Sequence, residues 1–263
     1  MATSEAPVEI GRVALNVKDL SGMADFYRRT LGLHELSNDG SVVVLGSDRP
    51  LLELHADKAR RIVSPHEAGL FHTAFLLPTR ADLGAWIGHL VDTQVPLSGA
   101  SDHAVSEALY LRDPEGNGIE VYVDRPRDQW EMTDTGVNMG TRALDLRDVH
   151  ASARGPWADI PDGSVVGHVH LQVGDLAQAE DFVTKTLGMD VMQRSHGARF
   201  FSSGGYHHHL AGNIWNSAGA GARPDGVTGL ADVELLLDPS VAAPETSLSD
   251  PWGTRFSLKR KAA

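Results

Sequence analysis

The chain has 263 residues with 13 histidines and no cysteine, and its 23 basic and 35 acidic side chains give a formal net charge of −12. The absence of cysteine excludes a disulfide framework, a thiolate nucleophile, an iron–sulfur cluster and a cysteine-type zinc site, so any metal must be held by His, Asp, Glu or water. The negative charge argues against a nucleic acid partner, because neutralising a phosphate backbone requires clustered lysine and arginine.

Apolar runs along the chain are short. No stretch approaches the ~18 consecutive apolar residues of a membrane span, and residues 1–25 show no basic segment followed by an apolar run. We therefore expect no membrane partner and a cytoplasmic location. The length suits one large domain or two smaller ones.

A duplicated strand–helix segment organises the chain. Residues 11–33 match residues 167–189 at a constant offset, with 11 of 23 positions identical. Alternating apolar residues open each copy and predict a half-buried strand. Asp19 and Asp175 then stand where a helix N-cap would accept backbone N–H groups, and the following glycines predict the helix ends.

Strand-like runs follow each of these two helices. They lie at 41–45 and 51–54 in the first copy and at 199–201 and 206–210 in the second. The repeated unit is therefore predicted to be βαβββ.

A weaker repeat lies between and after these copies. Gly69–Pro78 resembles Gly229–Asp238, and Asp113–Tyr122 resembles Asp250–Lys259. A helix is predicted at 81–93 between the first pair of landmarks, whereas the spacing between the later pair is shorter by 23 residues. The sequence thus predicts an α+β fold of four tandem βαβββ modules, the fourth truncated by a helix and a strand.

The domain organisation follows from these four modules. Residues 1–126 are predicted to form an N-terminal domain from the first two modules, and residues 163–263 a C-terminal domain from the third and the shortened fourth. Residues 127–162 are irregular in pattern, and their glycines and prolines (Gly136, Gly140, Gly155, Pro156 and Pro161) suit a connector that runs over the surface.

Three ionisable residues occur within strongly apolar strand patterns. His72 begins one strand, Glu120 lies within another, and His168 shares one face of a third with His170 because strand side chains alternate. Taken singly, His72 is more often a half-buried polar residue and Glu120 an ion-paired one. Together, two histidines and one carboxylate have the composition of a facial triad that leaves positions open on iron(II).

Four motifs carry a resemblance to a known family: HTAFLLP, HAVSEALYLRDPEGNGIEVY, GHVHLQV and GGYHHHLAGNIW. They resemble the catechol 2,3-dioxygenase branch of the vicinal oxygen chelate superfamily, which includes glyoxalase I and the extradiol ring-cleaving dioxygenases. The resemblance spans about residues 9–258. It implies the vicinal oxygen chelate fold, in which paired βαβββ modules form a cup around a divalent metal, usually Fe(2+), with Mn(2+) also possible.

The resemblance implies His72, Glu120 and His168 as metal ligands. In the first copy of the repeat, the position equivalent to His168 is Arg12, whose cationic guanidinium cannot ligate a metal. We therefore predict that the second and third modules pair across the middle of the chain to complete the ligand set.

The same resemblance implies catalytic roles for three residues. His208 is the acid–base group, Tyr110 is a hydrogen-bonding partner of the substrate, and His103, a few residues before Tyr110, helps Tyr110 to stabilise the substrate or peroxide oxygens. Which of the three consecutive histidines at 207–209 faces the site is left open. The substrate pocket is predicted to include the aromatic residues Tyr206, Trp215 and Phe201, with core packing as the alternative for each.

The implied reaction is iron(II)-dependent extradiol cleavage, with a small aromatic diol and O₂ as the molecules bound. Two alternatives within the superfamily remain: a glyoxalase-like metal-dependent isomerase or transferase, and a non-catalytic small-molecule binding protein. A homo-oligomer is also possible, because a truncated module would leave apolar surface for association to cover.

Overall fold

A computed structural model describes residues 6–58, 60–133, 136–243 and 246–261. The first part of the chain forms β1 (Val8–Val17), α1 (Leu20–Leu31), β2 (His34–Asn38), β3 (Val42–Gly46) and β4 (Pro50–Ala56). The second forms β5 (Gly69–Leu76), α2 (Arg80–Thr93), β6 (Gly99–Asp102), β7 (Ser106–Arg112) and β8 (Gly118–Asp124).

The connecting part contains a 3-10 turn (Arg127–Gln129), β9 (Met132–Thr133), β10 (Gly136–Val137) and α3 (Leu146–Ala151). The third part forms β11 (Val165–Gln172), α4 (Leu176–Lys185), β12 (Asp190–Arg194), β13 (Ala198–Ser202) and β14 (Leu210–Asn213). The last forms β15 (Gly229–Leu237), β16 (Thr246–Ser249) and β17 (Arg255–Arg260). The predicted α+β class is confirmed.

The predicted N-caps are present in both copies of the repeat, but the predicted glycine C-cap is present only in the first, because α4 ends at Lys185 with Thr186 as its C-cap, before Gly188. The Asp19 carboxylate accepts the backbone N–H of Gly22 at 3.0 Å, and the Asp175 carboxylate accepts that of Gln178 at 2.8 Å. Gly32 ends α1 with a left-handed φ of 69°, a conformation that a glycine adopts without a Cβ penalty. Local sequence signals therefore set the starts of both helices and the end of α1.

The strands form two large sheets. One has the order β16-β17-β15-β1-β4-β3-β2, and the other has the order β12-β13-β14-β11-β5-β8-β7-β6. In the second sheet β5 pairs antiparallel with β11, so the pairing predicted across the middle of the chain is confirmed. Each sheet takes strands from both sides of residues 127–162, and the domain boundaries at 126 and 163 stay predictions.

The last part of the chain is shorter than its counterpart, as the spacing predicted. Residues 238–243, which follow β15 and end where the described chain is interrupted, contain no helix. β15 pairs in parallel with β17 and antiparallel with β1. Of the residues described, none lies in a helix long and apolar enough to cross a membrane.

One strand prediction needs correction. Residues 206–209 form a loop, and β14 begins only at Leu210. Gly204 and Gly205 both have positive φ, 66° and 69°, which turns the chain away from the sheet. Backbone pairing with β13 resumes when the N–H of His209 donates to the carbonyl of Phe201 at 2.8 Å.

Gly167 offers a test of the packing beneath the central strands. A Cβ placed there would overlap the hydroxyl of Tyr122 and lie 3.1 Å from the Cβ of Leu76, both fully buried. Because overpacking a core costs about 1–3 kcal/mol, we expect Gly167→Ala to lower the free energy of unfolding by that amount in urea denaturation. Gly155→Ala is the matched control, since nothing lies within 4 Å of its Cβ position; an equal loss in both variants would contradict the packing assignment.

Candidate metal centre

Three potential metal ligands meet on one face of the β5-containing sheet. Ala74 of β5 stands opposite Glu120 of β8 on one side and opposite His168 of β11 on the other. His72 lies two residues before Ala74 and therefore shares its face of the strand. The ligand atoms of His72, Glu120 and His168 all lie within 4.8 Å of one another, and we call these residues the candidate triad.

The candidate triad is buried and compact. Glu120 Oε2 lies 2.9 Å from His72 Nε2 and 3.2 Å from His168 Nε2, and the three side chains are at most 7 % exposed. Within the described residues, His72 Nε2 makes no hydrogen bond despite its buried position. A buried nitrogen without a hydrogen bond is costly, and its position beside a carboxylate oxygen suits a shared cation.

The charges of the triad also suit a divalent metal. Burial alone would raise the pKa of the Glu120 carboxyl, but the imidazoles of His168 and His72 outweigh burial and hold that pKa well below its ordinary value. Burial lowers the pKa of His168 to about 4. Near neutral pH the carboxylate is ionised and His168 neutral, the protonation state that metal ligands need. Two imidazoles and a carboxylate form a donor set typical of non-haem iron(II).

A cavity of about 550 Å³ opens in front of the triad. Besides the triad it is lined by further histidines and aromatic residues that converge from both halves of the sheet, among them His103, Tyr110, His170, Phe71, Phe200, His208 and Trp215. Of the histidines at 207–209, His208 alone lines this cavity. His208, and not His207 or His209, is therefore the one of the three that faces the cavity.

Tyr110 and His103 lie together on one wall of the cavity. The Nδ1–H of His103 donates to the carbonyl of Gly140 at 2.7 Å, so in the neutral ring Nε2 accepts from the Tyr110 hydroxyl at 2.6 Å. Burial raises the pKa of Tyr110, and the negative charge of Glu120 raises it further. Tyr110 therefore keeps its proton, which it donates to His103, and its oxygen can accept a hydrogen bond from a ligand in the cavity.

His208 lies on the opposite wall. Its ring centroid is 4.1 Å from that of His168 and 5.1 Å from that of Phe200. Burial lowers the pKa of His208 well below its ordinary value. A neutral imidazole beside the triad is able to accept a proton from a bound molecule.

The three predicted pocket aromatics have different positions. Trp215 lines the cavity at its mouth, 55 % exposed, with its ring centroid 5.2 Å from that of Phe71. Phe201 and Tyr206 do not line the cavity. Side chains alternate along β13, so Phe200 faces the cavity while Phe201 packs into the main apolar core.

Tyr206 belongs to a separate buried cluster behind the cavity wall. Its ring packs against Trp130, and its hydroxyl donates to Asp124 at 3.1 Å. For both Phe201 and Tyr206 the alternative of core packing is the observed one. The wall that they were predicted to form is provided instead by Phe200 and Phe71.

Some cavity residues were not assigned a role from sequence. His170 shares the face of His168 and stands directly opposite His72 in the sheet, with ring centroids 4.9 Å apart. The two-residue spacing from His168 was the available signal for its orientation. Phe71 and Phe200 gave no sequence signal that separates a cavity aromatic from a core aromatic.

Comparison with known proteins agrees with this fold and site. The Glyoxalase/Bleomycin resistance protein/Dioxygenase superfamily model matches residues 9–121 and 165–234. The chain is 36 % identical over 244 residues to catechol-2,3-dioxygenase of Bacillus subtilis (strain 168), covering 90 % of this chain and 85 % of that protein. It is 29 % identical over 129 residues to biphenyl-2,3-diol 1,2-dioxygenase 3 of Rhodococcus globerulus, covering 48 % and 68 %.

A solved structure supports the architecture independently. The crystal structure of glyoxalase I from Zea mays aligns with a TM-score of 0.56 at 14 % identity, covering 95 % of this chain and 92 % of that one. At this identity the likeness concerns the fold alone. The family model and the Bacillus relative establish that the chain belongs to the glyoxalase/bleomycin resistance protein/dioxygenase superfamily.

Proposed function

We propose that the chain is an extradiol dioxygenase that cleaves the ring of a catechol-type diol with O₂ and bound iron(II). The observation that carries the proposal is the buried His72–Glu120–His168 triad at the base of a cavity whose walls present Tyr110 and His208. The names of the two dioxygenase relatives support the same reaction class.

The candidate triad would hold the metal. His72 and His168 would supply imidazole nitrogens and Glu120 a carboxylate oxygen, a set that Mn(2+) could also occupy. When bound, the metal supplies a Lewis acid with open positions at which a diol and O₂ are brought together.

Tyr110 would orient the diol. Its hydroxyl lies between His103 and the triad, where its oxygen can accept a hydrogen bond from a substrate hydroxyl while its own hydrogen is donated to His103 Nε2. Fixing one oxygen of a planar diol restricts the rotation of the ring. Positioning of this kind converts a difficult bimolecular encounter into a reaction of oriented partners.

His208 would act as the proton acceptor and donor for the bound diol. It lies on the wall opposite Tyr110 and keeps a neutral ring because burial lowers its pKa. A diol hydroxyl that loses its proton to His208 becomes a better electron donor, and the same proton can later return to the product. General acid–base groups of this kind contribute about 10²–10⁴-fold to rate.

The remaining walls suit a planar aromatic molecule. Phe71, Phe200 and Trp215 line a cavity of about 550 Å³, within the range of small-molecule sites. Aromatic side chains pair with another ring in offset or edge-on geometry. Trp215 at the exposed mouth would cover the bound ring and limit the entry of water.

The test is turnover under controlled metal loading. Chelated protein is reloaded anaerobically with iron(II), mixed with catechol in air-saturated buffer, and followed by an oxygen electrode and by the yellow colour of the ring-cleaved product. We expect oxygen uptake with iron(II) and none in the chelated protein. Binding of catechol without oxygen uptake would favour the non-catalytic alternative, and isomerisation of a glutathione hemithioacetal without oxygen uptake would favour the glyoxalase-like one.

A further inference from the structure

A series of buried hydrogen bonds runs from the cavity into the protein behind His208. His208 Nδ1 lies 2.8 Å from His207 Nδ1, and His207 Nε2 lies 2.9 Å from the Oδ1 of Asp124. The hydroxyl of Tyr206 donates to the same carboxylate oxygen at 3.1 Å and lies 2.8 Å from the hydroxyl of Tyr122. We call Asp124, His207 and His208 the histidine relay.

We propose that Asp124 and His207 fix the tautomer of His208, so that its Nε2 faces the cavity as an unprotonated proton acceptor. Asp124 and His207 are positioning residues, because neither lines the cavity. The tautomer follows from the hydrogen bonds together with a His207 ring that carries a single proton. Its catalytic consequence rests on the proposed function.

The direction of the hydrogen bonds follows from the acceptor at their buried end. An ionised carboxylate can only accept, so the 2.9 Å contact requires a hydrogen on His207 Nε2. A neutral His207 then has a lone pair on Nδ1. The 2.8 Å contact between the two Nδ1 atoms therefore requires the hydrogen to lie on His208 Nδ1.

The opposite edge of His208 is left free for a ligand. With Nδ1 protonated and the ring neutral, Nε2 carries a lone pair, and within the described residues it makes no hydrogen bond. His208 is the member of the relay that lines the cavity. A hydroxyl bound there would transfer its proton to Nε2. The O–H bond breaks, an N–H bond forms, and no group is oxidised or reduced.

One member of the relay and one member of the candidate triad lie on the same strand. Glu120, Tyr122 and Asp124 follow one another at two-residue spacing on β8 and so share a face. The Tyr122 ring centroid is 4.9 Å from that of His168. A single strand therefore fixes the distance between the triad and the carboxylate that orients His208.

The position of Asp124 lowers the stability of the folded protein. Its side chain is 10 % exposed, two donors converge on Oδ1, and Oδ2 has no hydrogen bond within the part of the chain described. A buried carboxylate with an unpaired oxygen lowers stability. The same carboxylate is well placed to stabilise positive charge on the relay after His208 takes up a proton, as an aspartate does behind a catalytic histidine.

The tautomer is measurable without metal or turnover. In metal-free protein labelled with 15N histidine, two-bond proton–nitrogen correlation spectra near neutral pH separate protonated from unprotonated ring nitrogens. The His208 signals are those lost in His208→Phe. We expect wild-type His208 to have a protonated Nδ1 and an unprotonated Nε2.

Two variants separate the relay from simple packing. His207→Phe keeps the ring that packs against Tyr206 and Trp130 but removes the acceptor, so His208 should shift toward the form protonated on Nε2. Tyr206→Phe is the matched control: it removes the other donor to Asp124 and should leave the His208 tautomer unchanged. Asp124→Leu should act like His207→Phe.

Several results would overturn the proposal. These are a wild-type His208 protonated on Nε2, a doubly protonated His207, or a His207→Phe variant with the wild-type tautomer. If His207→Phe fails to fold, the spectra of the wild type and of Tyr206→Phe still show whether His208 carries its proton on Nδ1. Because these spectra use metal-free protein, absence of dioxygenase turnover would defeat the proposed function and leave the tautomer result intact.

If the protein turns over a catechol, the relay should also be visible in kinetics. His207→Phe should lower kcat by about 10- to 100-fold, less than the ~10²–10⁴-fold contribution of the acid–base group itself. KM should stay within a few-fold of wild type, since His207 does not line the cavity. Loss of kcat without the tautomer change would assign His207 a purely structural role.

Discussion

Replacing Glu120 with alanine should abolish metal binding and ring cleavage together. The carboxylate is the one negative charge within the candidate triad, and both imidazoles approach the same oxygen of it, at 2.9 and 3.2 Å. Changes around a metal's ligands cost about 10–100-fold in affinity, so removal of a ligand should cost more. Metal analysis of anaerobically loaded protein should show iron reduced to background, and His72→Ala and His168→Ala should behave alike.

Glu107 provides the matched control for this loss. It is another buried glutamate on the adjacent β7, but it pairs with the guanidinium groups of Arg80 and Arg125. Glu107→Ala should lower stability by removing those contacts and still bind iron. Normal iron content in His168→Ala would contradict the triad, and loss of iron in Glu107→Ala would show that the assay reports folding and not ligation.

The other sheet shows why the pairing of strands could be predicted from sequence. Arg12 occupies the place of His168 in β1, and its guanidinium pairs with Glu53 at 2.7 Å. Asp232 and Ser257 occupy the places of His72 and Glu120, and they hydrogen-bond to each other at 2.8 Å. The repeat therefore keeps its backbone geometry while different side chains occupy the equivalent positions.

The candidate triad was predicted from the resemblance of its motifs to the dioxygenase branch, combined with the repeated strand pattern. Apolar alternation located the strands, and a residue that cannot bind a metal excluded one of the two possible pairings. The starts of α1 and α4 and the end of α1 could also be predicted from local sequence, because each cap residue lies within a few residues of the backbone group that it binds. These features could be predicted since they depend on short sequence separations or on duplication.

The remaining features depend on contacts that a single sequence does not encode locally. Phe200 and Phe201 are adjacent, and the choice between cavity and core depends on the register of β13 against β14. The two glycines before Tyr206 end the regular alternation, so Tyr206 could not be placed. The hydrogen bond between His207 and Asp124 joins residues that are 83 positions apart in the sequence, and no local sequence pattern indicates it.

Replacing His208 with phenylalanine should separate catalysis from metal binding. The ring lies against His168 and Phe200, so phenylalanine preserves the packing while removing both nitrogens. The triad is untouched, and we expect normal iron content. Without a proton acceptor at this wall, kcat for catechol cleavage should fall by about 10²–10⁴-fold, measured by oxygen uptake at saturating catechol.

His209, the next residue, provides the matched control for His208→Phe. His209 is fully buried, does not line the cavity, and accepts a hydrogen bond from the backbone N–H of Ser203 at 3.3 Å. His209→Phe should therefore lower stability without changing kcat. A His208→Phe variant that keeps wild-type turnover would remove His208 from the reaction, and one that loses iron would mean that its ring supports the ligand His168. Retained iron with lost turnover is the combination that a proton acceptor predicts, because only then do metal binding and proton transfer depend on different side chains.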